Sequence, residues 1–102
     1  MRAKTVTNLK IDELIIESDR PVHIAQHSVA VEEVKEIVNG DYVFVQAKYG
    51  RWQLIGKTRH SRFLSIIIGH RLKKNTYGLI TARPASRKER SFFKEITLQE
   101  SN

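Results

Sequence analysis

Residues 1–8 are polar, and we expect them to be frayed at the start of the chain. An apolar cluster follows over residues 9–16, and its spacing fits an edge strand and a short helix equally well. The polar pair at 18–19 and Pro21 then predict a helix that extends through about His27. A polar cap followed by proline in the first turn leaves no backbone donor unsatisfied.

A second helix is predicted where apolar residues recur at intervals of three and four positions. This stripe consists of Val31, Val34, Ile37 and Val38. The Asn39-Gly40 pair predicts the end of the helix, because these two residue types tolerate the left-handed backbone that closes many helices.

From Tyr42 onward the pattern becomes that of β-strands. The predicted strands are Tyr42–Ala47, Trp52–Thr58, Phe63–Gly69 and Thr76–Arg83. The first two are joined by a glycine-containing hairpin loop at residues 48–51, and the last two by a basic loop at residues 71–75. Four successive strands with short connections predict an antiparallel meander.

The last element is predicted to be a helix that begins at Ser86. Ser86 and Glu89 form the Ser-x-x-Glu pattern of a capping box, in which each side chain binds the backbone N–H of the other residue. Phe92, Phe93 and Ile96 supply its apolar stripe. The predicted fold is therefore a single α+β domain over residues 1–102, with two N-terminal helices, a four-stranded antiparallel meander, a C-terminal helix and a tail at 97–102.

The chain of 102 residues carries a formal net charge of +7, and this charge is unevenly distributed. Residues 1–50 hold six basic and eight acidic side chains, whereas residues 51–102 hold twelve and three. Cysteine is absent, which excludes disulfides and thiol nucleophiles. No apolar run is long enough to cross a membrane and no signal-peptide run follows the N-terminus, so we expect a cytoplasmic protein.

Clustered basic side chains in the second half predict a polyanionic or acidic partner. On the predicted strands and loops they are Arg51, Lys57, Arg59, Arg62, Arg71, Lys73 and Lys74, followed toward the last helix by Arg83, Arg87, Arg90 and Lys94. The alternative is that these cations form a solvated face that keeps the protein soluble. Charge alone does not separate RNA, DNA and an acidic protein.

Two histidines, His23 and His27, have the spacing of metal ligands on one helical face. The residues between them include no carboxylate and the sequence offers no third ligand, so we expect neither a metal site nor a cofactor. Metal-free RNA cleavage remains open to this composition, because the 2′-hydroxyl of RNA is itself the nucleophile. Most aromatic residues are expected in the core, and Tyr49 and Trp52 are the pair most suited to stack on bases.

Three segments resemble the motifs of BrnT-type ribonuclease toxins, in the order of that family. Residues 26–34 resemble its Lys-His-Gly-Val-x-x-Glu-Glu stretch, with Gln26 in place of the lysine and Ser28 in place of the glycine. Residues 51–56 and 62–64 are similar to its Arg-x-x-x-Ile-Gly and Gly-Arg-x-Leu segments. Residues 80–90 are similar to its Ile-Ser-Ala-Arg-x-Ala-x-x-x-Glu-Arg signature.

This resemblance implies a RelE-like fold, RNA cleavage without a metal, and inhibition by a BrnA-type antitoxin that binds the toxin in a complex. By the same resemblance, His27 is the candidate general base or acid. The candidate phosphorane-stabilising residues are Arg62, Arg83 and Arg90, and the candidate RNA-binding residues are Arg51, Lys57 and Arg87.

Structural roles compete with these assignments. His27 is also suited to end a helix, and Arg83 is placed to pair with Glu89. If these residues have only structural roles, the chain is a binding module that holds an antitoxin or nucleic acid without cleaving it. A third alternative, a regulator that binds DNA alone, requires an exposed reading helix, whereas Phe92 and Phe93 indicate that the last helix packs.

Overall fold

A computed structural model describes the backbone of residues 9–101 and the side chains of residues 9–99. The prediction for residues 1–8 lies outside this range. Within it, three helices and five strands follow in this order: β1 (Glu13–Ile15), α1 (Arg20–Ala25), α2 (Val31–Val38), β2 (Tyr42–Gln46), β3 (Arg51–Lys57), β4 (Phe63–His70), β5 (Thr76–Pro84) and α3 (Arg87–Ser101). None of these helices has the length and apolar character needed to cross a membrane.

The strands form one mixed sheet in the order β1-β5-β4-β3-β2. The antiparallel meander β2 to β5 confirms the sequence-based prediction. The prediction of only four strands was wrong, because β1 joins the sheet in parallel to β5, with Leu14 opposite Tyr77. Three residues carry too little periodicity to reveal a strand, and the partner of β1 lies some sixty residues further along the chain.

The first face of the sheet carries the larger core, covered by α1 and α2. Its fully buried side chains include Ile24, Val34, Ile37, Leu54, Leu64, Ile66, Ile68 and Leu79. The stripe predicted for α2 supplies Val34 and Ile37 to this core, and Val31 and Val38 pack at its margin. Burial of these residues is the main stabilising term for the fold.

The second face is only partly covered. Helix α3 packs mainly on β2 and β3, where Phe93 joins Val43, Ile55 and Ala85 in a smaller core. The remaining part of this face, which we call the open face, carries Arg51, Gln53, Ile67, Thr81 and Arg83. Side chains alternate between the two faces of a strand, so these residues share one side of β3, β4 and β5.

Helix α1 lies along the edge of β5 beyond the short strand β1. Arg20 donates a hydrogen bond of 2.6 Å to the carbonyl of Ile80, one of the edge groups that β1 does not reach. Ile24 enters the first core, whereas His23 points to Thr81 on the open face. The helix ends at Ala25 rather than at His27, so His27 lies in the following turn.

Candidate functional site

Arg83 and Glu89 form an ion pair at the junction of β5 and α3. The Arg83 Nη1 and Nη2 atoms donate to Oε1 and Oε2 of Glu89 at 2.9 and 2.8 Å. The capping box places this carboxylate: Ser86 N–H donates to Glu89 Oε1 at 2.8 Å, and Glu89 N–H donates to Ser86 Oγ at 3.2 Å. The sequence-based predictions of the pair and of the capping box are confirmed.

The side chain of Gln53 extends this pair into the sheet. Its Nε2 atom donates to Glu89 Oε2 and to Ser65 Oγ, both at 2.8 Å. The hydrogen bonds from Arg83 lower the pKa of Glu89 to about 2, and those from Ser86 and Gln53 act in the same direction against the effect of burial. Glu89 is therefore a fixed anion at neutral pH.

Arg83 keeps part of its donor capacity despite this pair. Its Nη1 also donates to the carbonyl of Pro84 at 3.1 Å, which brings the hydrogen bonds it donates to three of the five N–H groups of a guanidinium. The Arg83 side chain is 47% exposed. Donors that point to solvent remain available for an anion.

Two neighbouring imidazoles lie near Thr81, on the same face of β5 as Arg83. His23 Nε2 lies 3.0 Å from Thr81 Oγ1, and the His23 and His27 rings are 5.5 Å apart in an edge-to-face arrangement. Thr81 and Arg83 are alternate residues of β5, so they are about 7 Å apart on the same side of the strand. His27 is exposed.

The backbone of Ser28 turns the chain immediately after His27. Ser28 has a φ of 63°, in the left-handed region where glycine is favoured. This is the position at which the resembled motif has glycine. Ser28 therefore adopts a backbone conformation that a glycine at this position would adopt without strain.

Arg51 lies at the other end of the open face. It is two residues from Gln53 on β3, and its guanidinium carbon stands 5.6 Å from the centre of the Tyr49 ring. Tyr49 is 85% exposed, as the sequence predicts, but Trp52 packs against Phe44 at the margin of the first core. The stacking pair predicted from the sequence is therefore reduced to Tyr49.

Arg62 is paired with Glu33 and is not an unpaired cation on the open face. Its Nη1 lies 2.8 Å from both carboxylate oxygens of Glu33, and its Nη2 donates to the carbonyl of Ser28. Burial opposes ionisation of Glu33, but the Ala30 N–H and Arg62 together lower the pKa of this carboxyl. Arg62 thus binds the turn that carries His27.

The other predicted cations are dispersed. Lys57 and Lys94 both lie over the Phe63 ring, at 5.7 and 5.6 Å, on the flank of α3 away from Gln53. Arg90 donates to the carbonyl of Ala85 at 3.1 Å, and Arg87 is exposed at the first position of α3. Of the seven predicted site residues, Arg83 and Arg51 lie at opposite ends of the open face, and His27 lies in the turn that follows α1, next to His23.

Sequence reasoning missed the contributions of Gln53, Ser65 and Thr81 to this site. Each is a polar residue within an otherwise apolar strand, and all three lie on the face opposite the larger core. Alternation along each strand was the signal that could have grouped them. Within residues 9–99, no group of three or more histidine or acidic side chains is arranged to hold a metal ion.

No protein-family model matches the chain, and a search of curated protein sequences gave no match. Among solved structures, the chain is similar to the ribonuclease toxin BrnT of Brucella abortus, with a TM-score of 0.57 and 18% sequence identity. The similarity covers 74% of this chain and 97% of the Brucella chain. The resemblance seen in the sequence is thus confirmed at the level of the fold: this chain shares the fold of the ribonuclease toxin BrnT.

Proposed function

We propose that the chain is a BrnT-like toxin of a type II toxin–antitoxin pair, an endoribonuclease that uses the 2′-hydroxyl of RNA as its nucleophile and requires no metal. The observation that carries this proposal is the contact of His23 with Thr81, two residues before Arg83 on the open face, with the His27 ring 5.5 Å from that of His23. The shared fold with a ribonuclease toxin supports it.

In the proposed reaction His27 removes the proton from the 2′-hydroxyl, and the resulting oxygen attacks the adjacent phosphorus. The bond from phosphorus to the 5′-oxygen breaks, and the second imidazole, His23, returns a proton to that leaving oxygen. The products are a 2′,3′-cyclic phosphate and a 5′-hydroxyl. Two imidazoles whose centres are 5.5 Å apart can divide the roles of base and acid.

The charge that develops on the phosphorane requires donors that are already in place. Arg83 supplies the remaining N–H groups of a guanidinium whose position is fixed by Glu89 and Pro84. Arg51 binds the RNA backbone further along the face, and Arg87 adds positive charge at the start of α3. Arg62 acts as a positioning residue, because it holds the carbonyl that follows His27.

The test is incubation of purified protein with single-stranded RNA in the presence of a chelator. We expect cleavage with cyclic-phosphate ends, and no cleavage at a position that carries a 2′-deoxy sugar. His27→Ala and Arg83→Ala should each reduce the rate by about 100-fold or more. His60→Ala, at an exposed histidine in the β3–β4 turn, and Lys35→Ala, on α2, are the matched controls and should retain the wild-type rate.

The ion pair between Arg83 and Glu89 favours a second candidate, a binding module without catalysis. An arginine neutralised by its own chain contributes less to a phosphorane than an unpaired one. In that case the protein binds RNA or an antitoxin, and it cleaves neither the ordinary RNA nor the RNA with a 2′-deoxy sugar. RNA binding by clean protein without cleavage would therefore select this candidate over the enzyme.

The proposed partner is a BrnA-like antitoxin that covers the open face. Expression of the chain alone should arrest growth, and expression together with the adjacent open reading frame should restore growth and yield a complex. Harmless expression of the chain alone would contradict the toxin proposal.

A further inference from the structure

The aromatic ring of Tyr49 stands at the tip of the turn between β2 and β3. It is 85% exposed, whereas most other aromatic side chains among the described residues pack in or beside one of the two cores. Tyr49 has φ 61° and ψ 32°, and Gly50 follows with φ 69°. Bulky residues seldom adopt this left-handed conformation. Glycine or asparagine would therefore fit this position of the turn better than tyrosine does.

A cation lies on one side of this ring. The Arg51 guanidinium is 5.6 Å from the ring centre, and Lys48 precedes Tyr49 in the same turn. Within residues 9–99, Arg51 has no carboxylate within ion-pair distance. Arg51 thus presents its charge next to an aromatic face that water still reaches.

The turn is continuous with the open face. Arg51 begins β3 opposite the buried Gly69, and side-chain atoms of Ile80 and Arg51 lie within 4 Å of the position that a Cβ at Gly69 would take. Four residues further along β3, Ile55 pairs with Ser65, which pairs with Arg83. The distance from Arg51 to the row of Arg83 is therefore about 14 Å along the strand.

We propose that Tyr49 and Arg51 form a subsite that stacks on a base of single-stranded RNA, at a nucleotide beyond the one held at Arg83. The inference rests on the proposed RNA substrate. A base places its π-face on the exposed side of the Tyr49 ring, and Arg51 binds the adjoining phosphate. An exposed aromatic ring paired with an unneutralised arginine is the combination that holds unpaired bases in single-strand binding grooves.

The test measures binding separately from cleavage. The probe is a labelled 2′-O-methyl RNA oligonucleotide, which has no 2′-hydroxyl nucleophile, and its affinity is followed by fluorescence anisotropy. Tyr49→Ala should weaken binding about 5- to 100-fold, and Tyr49→Phe and Tyr49→Trp should remain within about twofold of wild type. Leu72→Ala removes another fully exposed apolar side chain, in the β4–β5 loop at the same end of the sheet, and should have no effect.

Salt dependence distinguishes the two residues of the subsite. Tyr49→Ala should shift the plot of log K against log salt without changing its slope, because stacking displaces no counterion, whereas Arg51→Ala should reduce the slope by about one. Tyr49→Asn serves as the control for folding, because asparagine fits the left-handed turn. It should lose RNA affinity like Tyr49→Ala while it unfolds at the same or a higher urea concentration.

Equal RNA affinity of Tyr49→Ala and wild type would overturn the stacking subsite. Equal affinity of Tyr49→Leu and Tyr49→Phe would also overturn it, because leucine is apolar but has no ring to stack on a base. A wild-type protein that does not bind the oligonucleotide would overturn it together with the proposed substrate. Binding that depends on Tyr49, combined with absent cleavage of ordinary RNA, would contradict only the proposed catalysis.

Discussion

The Arg83 guanidinium donates to both carboxylate oxygens of Glu89, at 2.9 and 2.8 Å, and this pair joins the end of β5 to the first turn of α3. Gln53 adds a third element, because its amide binds the same carboxylate from β3. The arrangement holds Arg83 at one orientation on the open face. It also makes the stability of the β5–α3 junction depend on the charge of a single carboxylate.

The first prediction concerns the pH dependence that Glu89 confers on stability. Its pKa is about 2 in the folded protein and lies near 4.5 when the group is unperturbed. A depressed pKa in the folded state stabilises the protein above pH 4.5, and this contribution is lost as the pH falls toward 2. Because Arg83 is half-exposed and the pair is screened, the contribution is about 1 to 2 kcal/mol.

Urea unfolding of wild type and Glu89→Gln at several pH values checks this. The variant should be less stable at pH 7, and the difference should shrink between pH 4.5 and 2. Glu95→Gln, at an exposed position of the same helix, is the control and should follow wild type. A constant difference between wild type and Glu89→Gln over this pH range would exclude the proposed linkage.

Much of this fold is predictable from the sequence, and the reason is local. The strands β2 to β5 and the helices α2 and α3 each carry their own periodicity, boundary residues or capping box. Strand β1 is too short for such a signal. Its three residues become a strand only because the edge of β5 offers backbone groups to pair with.

The candidate site is predictable only in part, for a related reason. Arg83 and Glu89 are six residues apart, and the capping box between Ser86 and Glu89 already turns the Glu89 side chain back toward the end of β5. The bond from Gln53 to Glu89 spans 36 residues and depends on the register of the sheet, which no local pattern specifies. The same holds for Arg62, whose neutralisation by Glu33 depends on how α2 docks onto the β3–β4 turn.

The second prediction is that Arg62 stabilises the fold through this turn. Arg62→Ala removes the bond to the Ser28 carbonyl and leaves the half-buried Glu33 without its cation. We expect a loss of about 1 to 3 kcal/mol in the free energy of unfolding. Arg59→Ala is the matched control, because Arg59 is 84% exposed and its ion pair with Glu36 should contribute less than about 1 kcal/mol.

Urea unfolding at neutral pH measures both variants. A larger loss for Arg59→Ala than for Arg62→Ala would contradict the structural role assigned to Arg62.

The third prediction explains the glycine at the end of the Arg-x-x-x-Ile-Gly motif. A Cβ atom at Gly56 would lie 2.6 Å from Cγ2 of Ile37 and 3.0 Å from the carbonyl oxygen of Asp41. Gly56 therefore lets α2 approach β3, and Gly56→Ala should destabilise the fold by about 1 to 3 kcal/mol through overpacking.

Gly69→Ala is the comparison. A Cβ there would meet Cδ1 and Cγ1 of Ile80 at 3.4 and 3.7 Å and Cγ of Arg51 at 3.9 Å, which are ordinary van der Waals contacts, so the free energy of unfolding should change by less than about 0.5 kcal/mol. Similar unfolding midpoints for the Gly56 and Gly69 variants would show that the close approach of Ile37 is not required.

The fourth prediction concerns Ser28, which occupies the glycine position of the resembled motif with a φ of 63°. A left-handed residue with a Cβ costs about 1 to 2 kcal/mol, and the larger unfolded-state entropy of glycine offsets about half of that. Ser28→Gly should therefore stabilise the protein by about 0.5 to 1 kcal/mol. Ser61→Gly should have the same effect, because Ser61 also has a φ of 63°.

The same substitution at Ser91, an exposed position within α3, should instead destabilise the protein by about 0.5 kcal/mol, since glycine is a poorer helix former than serine. Urea midpoints that move in the same direction for all three variants would contradict the conformational explanation.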